Sequence, residues 1–246
     1  MTKLPAITLS FWIMKICATT LGETAGDLLS MTMNIGYAVS SLILLSFFFA
    51  TLIVQLSTKK FHPVIYWAVI LSTSTAGTTM SDYMDRTLGL GYATGSLILV
   101  SLLTATLIIW KLTEKSLSVT NINSLRGEMF YWIAILFSNT LGTALGDFLA
   151  DDSGLGFAGG AVLIGSLLVL IVLAFYLTKI SHIVLFWLAF VLTRPFGATF
   201  GDLLTKTSEK GGLNFGTIGS SIILFSILAI LVAVSIIKLN RKSKVA

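Results

Sequence analysis

The sequence predicts an all-α integral membrane protein of eight transmembrane helices, built as four parallel two-helix repeats in two pseudo-symmetric halves. Three observations carry this. Of the 246 residues 55% are hydrophobic and only 11% charged, with a mean hydropathy of +0.94, whereas a soluble surface is typically about one-quarter charged. Apolar runs near 7–28, 37–57, 64–84, 92–112, 129–149, 157–178, 183–204 and 217–238 each reach the roughly 20 residues needed to cross a bilayer core. Trp12, Trp67, Trp132 and Trp187 recur at spacings of 55, 65 and 55, and Asp27, Asp82, Asp147 and Asp202 follow each of them by fifteen residues.

Taken in order, the first run is a repeat copy and not a leader. It lacks a small-x-small cleavage site, and Lys15 interrupts its apolar stretch. The even-numbered runs share a mark of their own: Ser46, Ser101, Ser166 and Ser226 each fall ten residues after Gly36, Gly91, Gly156 and Gly216. Between the second and third copies lies a polar insert, 116–125, without Gly or Pro. It is read as a cytoplasmic linker joining a first membrane half, 1–115, to a second, 126–246. The fourth copy carries a longer outer loop, 205–216. The spans leave no room for a soluble domain, which excludes an enzyme head or a receptor domain.

Charge sets the orientation. Lys3, Lys59, Lys60, Lys111, Lys115, Arg126, Lys179, Lys238, Arg241, Lys242 and Lys244 lie at the termini or in the even-to-odd connections. The opposite connections hold only Arg86, Lys206 and Lys210. By the positive-inside rule both termini are cytoplasmic. The net charge of +5 thus faces lipid headgroups, and nucleic acid is not an expected partner. Cys17 is the sole cysteine, so no disulfide closes within the chain; a packing role is expected for it.

An even number of crossings per repeat makes all four copies enter from one side, related by an axis along the membrane normal. Steps of four residues back from each aspartate share a helix face. That face reads Asp27, Glu23, Thr19, Lys15 in copy one and Asp82, Thr78, Ser74 in copy two. It continues as Asp147, Thr143, Asn139 in copy three and Asp202, Ala198, Arg194 in copy four. A charge facing lipid at the bilayer centre costs about 2.5–3.5 kcal/mol, so the stripe must face the bundle interior or water. Glycines beside it (Gly22 and Gly26, Gly142 and Gly146, Gly197 and Gly201, with Gly77 and Ser81 in copy two) have the spacing that lets helices approach closely.

Placing the tryptophans at the cytoplasmic interface, as aromatic belts are placed, sets the aspartates about 22 Å away, in the outer part of the membrane. The expectation is an acidic vestibule narrowing toward Glu23 and Arg194, which concentrates cations. Lys15, Arg194 and Arg86 are too few to neutralise Glu23 and four aspartates. Carboxylates with hydroxyl and amide oxygens suit a hard divalent ion. The candidate metal ligands are therefore Glu23, Asp27, Asp82, Asp147 and Asp202, with Thr19, Ser74, Thr78, Asn139, Thr143 and Arg194 completing the ion path. Met31, Met33, Met80 and Met84 flank the aspartates and are expected to pack. His62 and His182, 120 apart, are expected at the cytoplasmic interface.

The phrase from Gly22 to Asp27 returns at Gly142–Asp147 and Gly197–Asp202, and Ser81 replaces the second glycine in copy two. This four-copy two-helix pattern resembles an uncharacterised bacterial repeat family, usually labelled "membrane-anchored protein", over nearly the whole chain. The resemblance implies a bacterial cytoplasmic membrane location and no particular activity. The residues themselves favour a transporter of a small divalent cation such as Mn or Mg, with proton exchange as its coupling. A carrier of a small organic solute using Arg194 and Lys15, an ion channel and a non-transport scaffold are the alternatives. No catalytic constellation is visible, so no enzymatic activity and no bound cofactor are expected; the partners are lipid, the transported ion or solute, and further copies of the chain.

Overall fold

A computed structural model describes residues 4–122 and 124–245, with Asn121 and 242–245 described by backbone alone. Lys3 and the side chains of Lys242 and Lys244, counted above as cytoplasmic bases, lie outside the described residues, as does position 123 of the linker. Among the described residues there are eight long helices and no strand. They are α1 (Leu9–Asp27), α2 (Tyr37–Ser57), α3 (Pro63–Asp82), α4 (Tyr92–Glu114), α5 (Leu125–Asp147), α6 (Gly156–Leu177), α7 (His182–Thr205) and α8 (Thr217–Val245).

The boundaries follow local chemistry. Thr8 caps α1 by accepting from the Phe11 amide, and Ser124 caps α5 through the Gly127 amide. The Ser124 cap starts α5 four residues before its apolar run. α8 outlasts its apolar run because good helix formers continue into the basic tail. Gly36, Gly91, Gly156 and Gly216 stand at the starts of the even helices with φ of 82°, 74°, 66° and 73° and open space around them. There the backbone, not crowding, requires glycine.

The odd helices form a closed inner ring: α1 packs on α3, α3 on α5, α5 on α7 and α7 on α1. Each even helix lies outside, against the odd helix of the next repeat: α2 on α3, α4 on α5, α6 on α7, and α8 back on α1. The ring closes through glycine. A Cβ on Gly22 would collide with Ser74, on Gly77 with Asn139, on Gly142 with Arg194, and on Gly197 with Thr19. Each helix thus sets its glycine column against the polar stripe of the next.

Polarity is inverted relative to a soluble protein. Threonines, serines and ionic groups of the stripe are buried, while Leu42, Leu97, Val162 and Ile222 of the outer helices are exposed. An apolar exterior of this extent is what a bilayer solvates. Six helices are long and apolar enough to cross a membrane. α1 and α3 fall short because the stripe dilutes them: Thr19, Thr20, Glu23 and Thr24 in one, Ser72–Thr75, Thr78 and Thr79 in the other. Both are sheltered inside the ring. The serines shared by the outer helices have a local role, each donating to the carbonyl four residues back (Ser46 to Leu42, 2.7 Å; Ser226 to Ile222, 2.8 Å).

Candidate ion site in the inner ring

Five layers, four residues apart, line the axis of the ring. The first is aromatic: Phe11, Tyr66, Tyr131 and Phe186. Each packs on the tryptophan of the following repeat, Phe11 on Trp67 at 5.7 Å, Tyr66 on Trp132 at 5.7 Å, Tyr131 on Trp187 at 6.4 Å and Phe186 on Trp12 at 5.7 Å between centroids. The Tyr66 and Tyr131 hydroxyls join between the adjacent helices α3 and α5 at 2.7 Å. Trp67, Trp132 and Trp187 are buried, because helix–helix contacts and membrane interfaces both reward large amphipathic rings, and the ring geometry takes them inward.

The second layer holds Lys15 with Ile70, Ile135 and Phe190, all buried. Lys15 Nζ donates to Asn139 Oδ1 at 3.4 Å and stands 4.0 Å over the Phe190 ring. The third holds Thr19, Ser74, Asn139 and Arg194. Asn139 in turn donates to Thr73 Oγ1 at 2.9 Å. Arg194, fully buried, reaches across the axis. Its guanidinium donates to the Thr19 and Ser74 carbonyls, to the Thr78 and Thr143 hydroxyls, and to Glu23 Oε2 at 3.0 Å. One side chain of α7 therefore ties together α1, α3 and α5. Pro195 follows it and removes one backbone donor from α7 at that level.

Glu23, Thr78, Thr143 and Ala198 make the fourth layer. Glu23 Oε2 also accepts from Thr78 at 3.3 Å and Thr143 at 3.2 Å. The fifth is the aspartate ring, and here the expected partner shortage is resolved in part by a group that sequence reasoning did not place. Arg86 contacts Asp82 at 2.9 Å and Asp147 at 3.0 Å, and Lys206 contacts Asp27 at 2.5 Å and Asp202 at 3.0 Å. Arg86 and Lys206 are equivalent, 120 residues apart and each four after its own aspartate. That i, i+4 relation was the available signal. Each base sits just beyond its inner helix and bridges to a neighbouring repeat. Lys206 is pulled down by burial, yet Asp202 and Asp27 hold its ammonium above the ordinary range.

The expected open vestibule is thus closed. The four aspartates are only 2–3% exposed, because the two bases draw neighbouring repeats together over them. Below this lid the structure brings together three carboxylates from three inner helices. Glu23, Asp147 and Asp202 each present an oxygen, all within 4.8 Å of one another, and all three residues are buried. Asp27 and Asp82 complete the ring but stand outside that cluster. Met31 and Met33 are exposed and Met80 and Met84 half-buried; Met31 meets Lys206. His62 and His182 are exposed at helix starts. An apolar cleft of about 630 Å³ lies outside the ring between α1, α6, α7 and the linker, and shares none of this chemistry.

A family described as "Repeat of Unknown Function (DUF347)" matches four times, over residues 10–61, 65–116, 130–181 and 185–238. Each match covers one inner helix with the outer helix that follows it. Neither a curated protein nor a solved structure matches the chain.

Proposed function

The chain belongs to this repeat family, and we propose that its four repeats enclose an alternating-access path for a small divalent cation across the cytoplasmic membrane, in the Mn or Mg class. The observation that carries the reading is the convergence of Glu23, Asp147 and Asp202 on the ring axis. Carboxylate oxygens from three helices offer a hard cation the ligands it prefers. The charge count agrees. With all carboxylates ionised, Glu23 and the four aspartates meet only Arg194, Arg86 and Lys206 in the upper layers, and two negative charges stay uncompensated.

In the closed ring the three bases hold the carboxylates in place of the ion. Arg194 occupies Glu23, Arg86 occupies Asp147, and Lys206 occupies Asp202. An entering cation displaces these side chains, and its departure lets them return, so none of the three carboxylates is left without a basic partner in the empty protein. The aromatic layer seals one end and the ion-paired rim the other, which supports alternating access over a continuous pore. All eight helices cross the bilayer in this reading, α1 and α3 as inner spans shielded from lipid, and both termini are cytoplasmic. An organic-anion carrier has less support, since Arg194 is already engaged by two carbonyls and two hydroxyls besides Glu23.

The test is a divalent-ion series on purified protein, followed by uptake into proteoliposomes. Ion-specific thermal stabilisation and uptake are expected in the wild type. Binding should weaken at least tenfold, about 1.4 kcal/mol, in Glu23→Gln and Asp147→Asn, and less in Asp27→Asn. Uptake unchanged in Glu23→Gln would overturn the assignment.

A further inference from the structure

Among the described residues, Lys15 is the one buried basic group of the inner helices that the cation path leaves unassigned. It is fully buried on α1, and among the described residues it makes no ion pair. Its ammonium is held by one amide oxygen, Asn139 Oδ1, and one aromatic face, Phe190. A charge so placed is costly to keep. The neighbouring base cannot share the task, since arginine does not release its proton in proteins, whereas lysine does.

Its surroundings leave few other titrating groups. From α7, Arg194 stands one turn from Phe190, and from α3 and α5 the neighbouring layer presents Tyr66 and Tyr131. α8 packs on α1 through Ser221 and Leu224 and carries no titratable side chain before Lys238. On α1 itself Glu23 lies two turns away and is engaged by Arg194, while Cys17 turns toward α8. Asp85 turns to Ser81, off the axis.

We propose that Lys15 is the proton-carrying site of this protein, releasing its proton when a divalent cation occupies Glu23, Asp147 and Asp202. The inference rests on the cation-site reading above. Charge balance drives it. With Lys15 protonated and the carboxylates ionised, the five layers together with the rim bases Arg86 and Lys206 carry one net negative charge. A divalent ion turns this into one net positive charge, and loss of one proton restores neutrality. Arg194 transmits the change, because the ion takes its place at Glu23 and frees the guanidinium next to the Lys15 layer. The step is a simple deprotonation: one N–H bond of the ammonium breaks, the electron pair stays on Nζ, and water takes the proton. Return of Arg194 to Glu23 after the ion leaves lets Lys15 take a proton again, so one ion moves against one proton.

The experiment is Mn2+ titration of the full chain in weakly buffered detergent with a pH indicator, alongside affinities between pH 6 and 8. The wild type should release about one proton per bound ion, with affinity rising about tenfold per pH unit. Lys15→Met should bind Mn2+ with no proton released and a flat pH profile. Lys15→Arg keeps the charge but cannot shed it, so it should bind more weakly and also release none; it carries the test if the methionine variant does not fold. Wild-type-like proton release from either variant would overturn the role of Lys15 while leaving the cation site standing. Absence of Mn2+ binding by the wild type would overturn both.

Discussion

Arg194 and Glu23 show at the residue scale why the inner ring is polar and still stable. Neither charge reaches water, and their contact at 3.0 Å is supported by hydroxyls and carbonyls from the other inner helices. Removing one partner of such a pair strands the other, at a cost of about 3–5 kcal/mol. Arg194→Met should therefore sharply lower the unfolding free energy in detergent, and Glu23→Gln combined with Arg194→Met should regain much of the loss. A double variant no more stable than Arg194→Met would show that the arginine acts through its hydroxyl and carbonyl contacts instead. This pair was legible beforehand, because steps of four from the aspartates put both residues on one interior stripe. Lys206 was not, since a base in an outer connection reads as a loop charge until the backbone carries it back over Asp27. Sequence spacing also could not say which way a tryptophan turns, as Trp132 would have the same period at a lipid interface or between helices.

At the scale of elements, the glycines are where two helices meet without an intervening side chain. Gly142 lies against the Arg194 side chain and backbone, whereas Gly219 of α8 has open space around it. Overpacking such a contact typically costs about 1–3 kcal/mol, while alanine in a helix with room for it is neutral or favourable. Gly142→Ala should thus lower the melting temperature and loosen Arg194, and Gly219→Ala should hold or raise it. Equal melting temperatures for the two variants would remove the close α5–α7 approach. The helix spans were readable from the apolar runs, save the start of α5 and the end of α8, and the glycine column from the repeat spacing. Invisible beforehand were the π-turns at Leu28–Thr32, Tyr83–Thr87 and Phe148–Asp152. They insert an extra residue per turn just after the aspartates, and no composition signal marks them. In copy four α7 runs on to Thr205 without one.

For the whole molecule the decisive fact is closure. Four repeats entering from one side could stack in a row, and spacing alone does not distinguish a row from a circle. In the ring each outer helix serves the repeat after its own, so the last must serve the first, and α8 does lie on α1. Closure is what places Glu23 of copy one beside Asp202 of copy four; in a row these would be the most distant layers. Cys17 gives a direct probe, because its thiol donates to the Leu224 carbonyl at 3.3 Å and α8 continues one turn further to Leu228. With the single native cysteine on α1, Leu224→Cys or Leu228→Cys adds one partner on α8. Mild oxidation should consume both thiols within a monomer, and digestion should release a linked pair of peptides from the first and fourth repeats. The control is Leu163→Cys on α6: that side chain is exposed on the outer surface, so the variant should keep both thiols free in the monomer. Thiols that survive in both α8 variants would open the circle, and with it the juxtaposition on which the cation site depends.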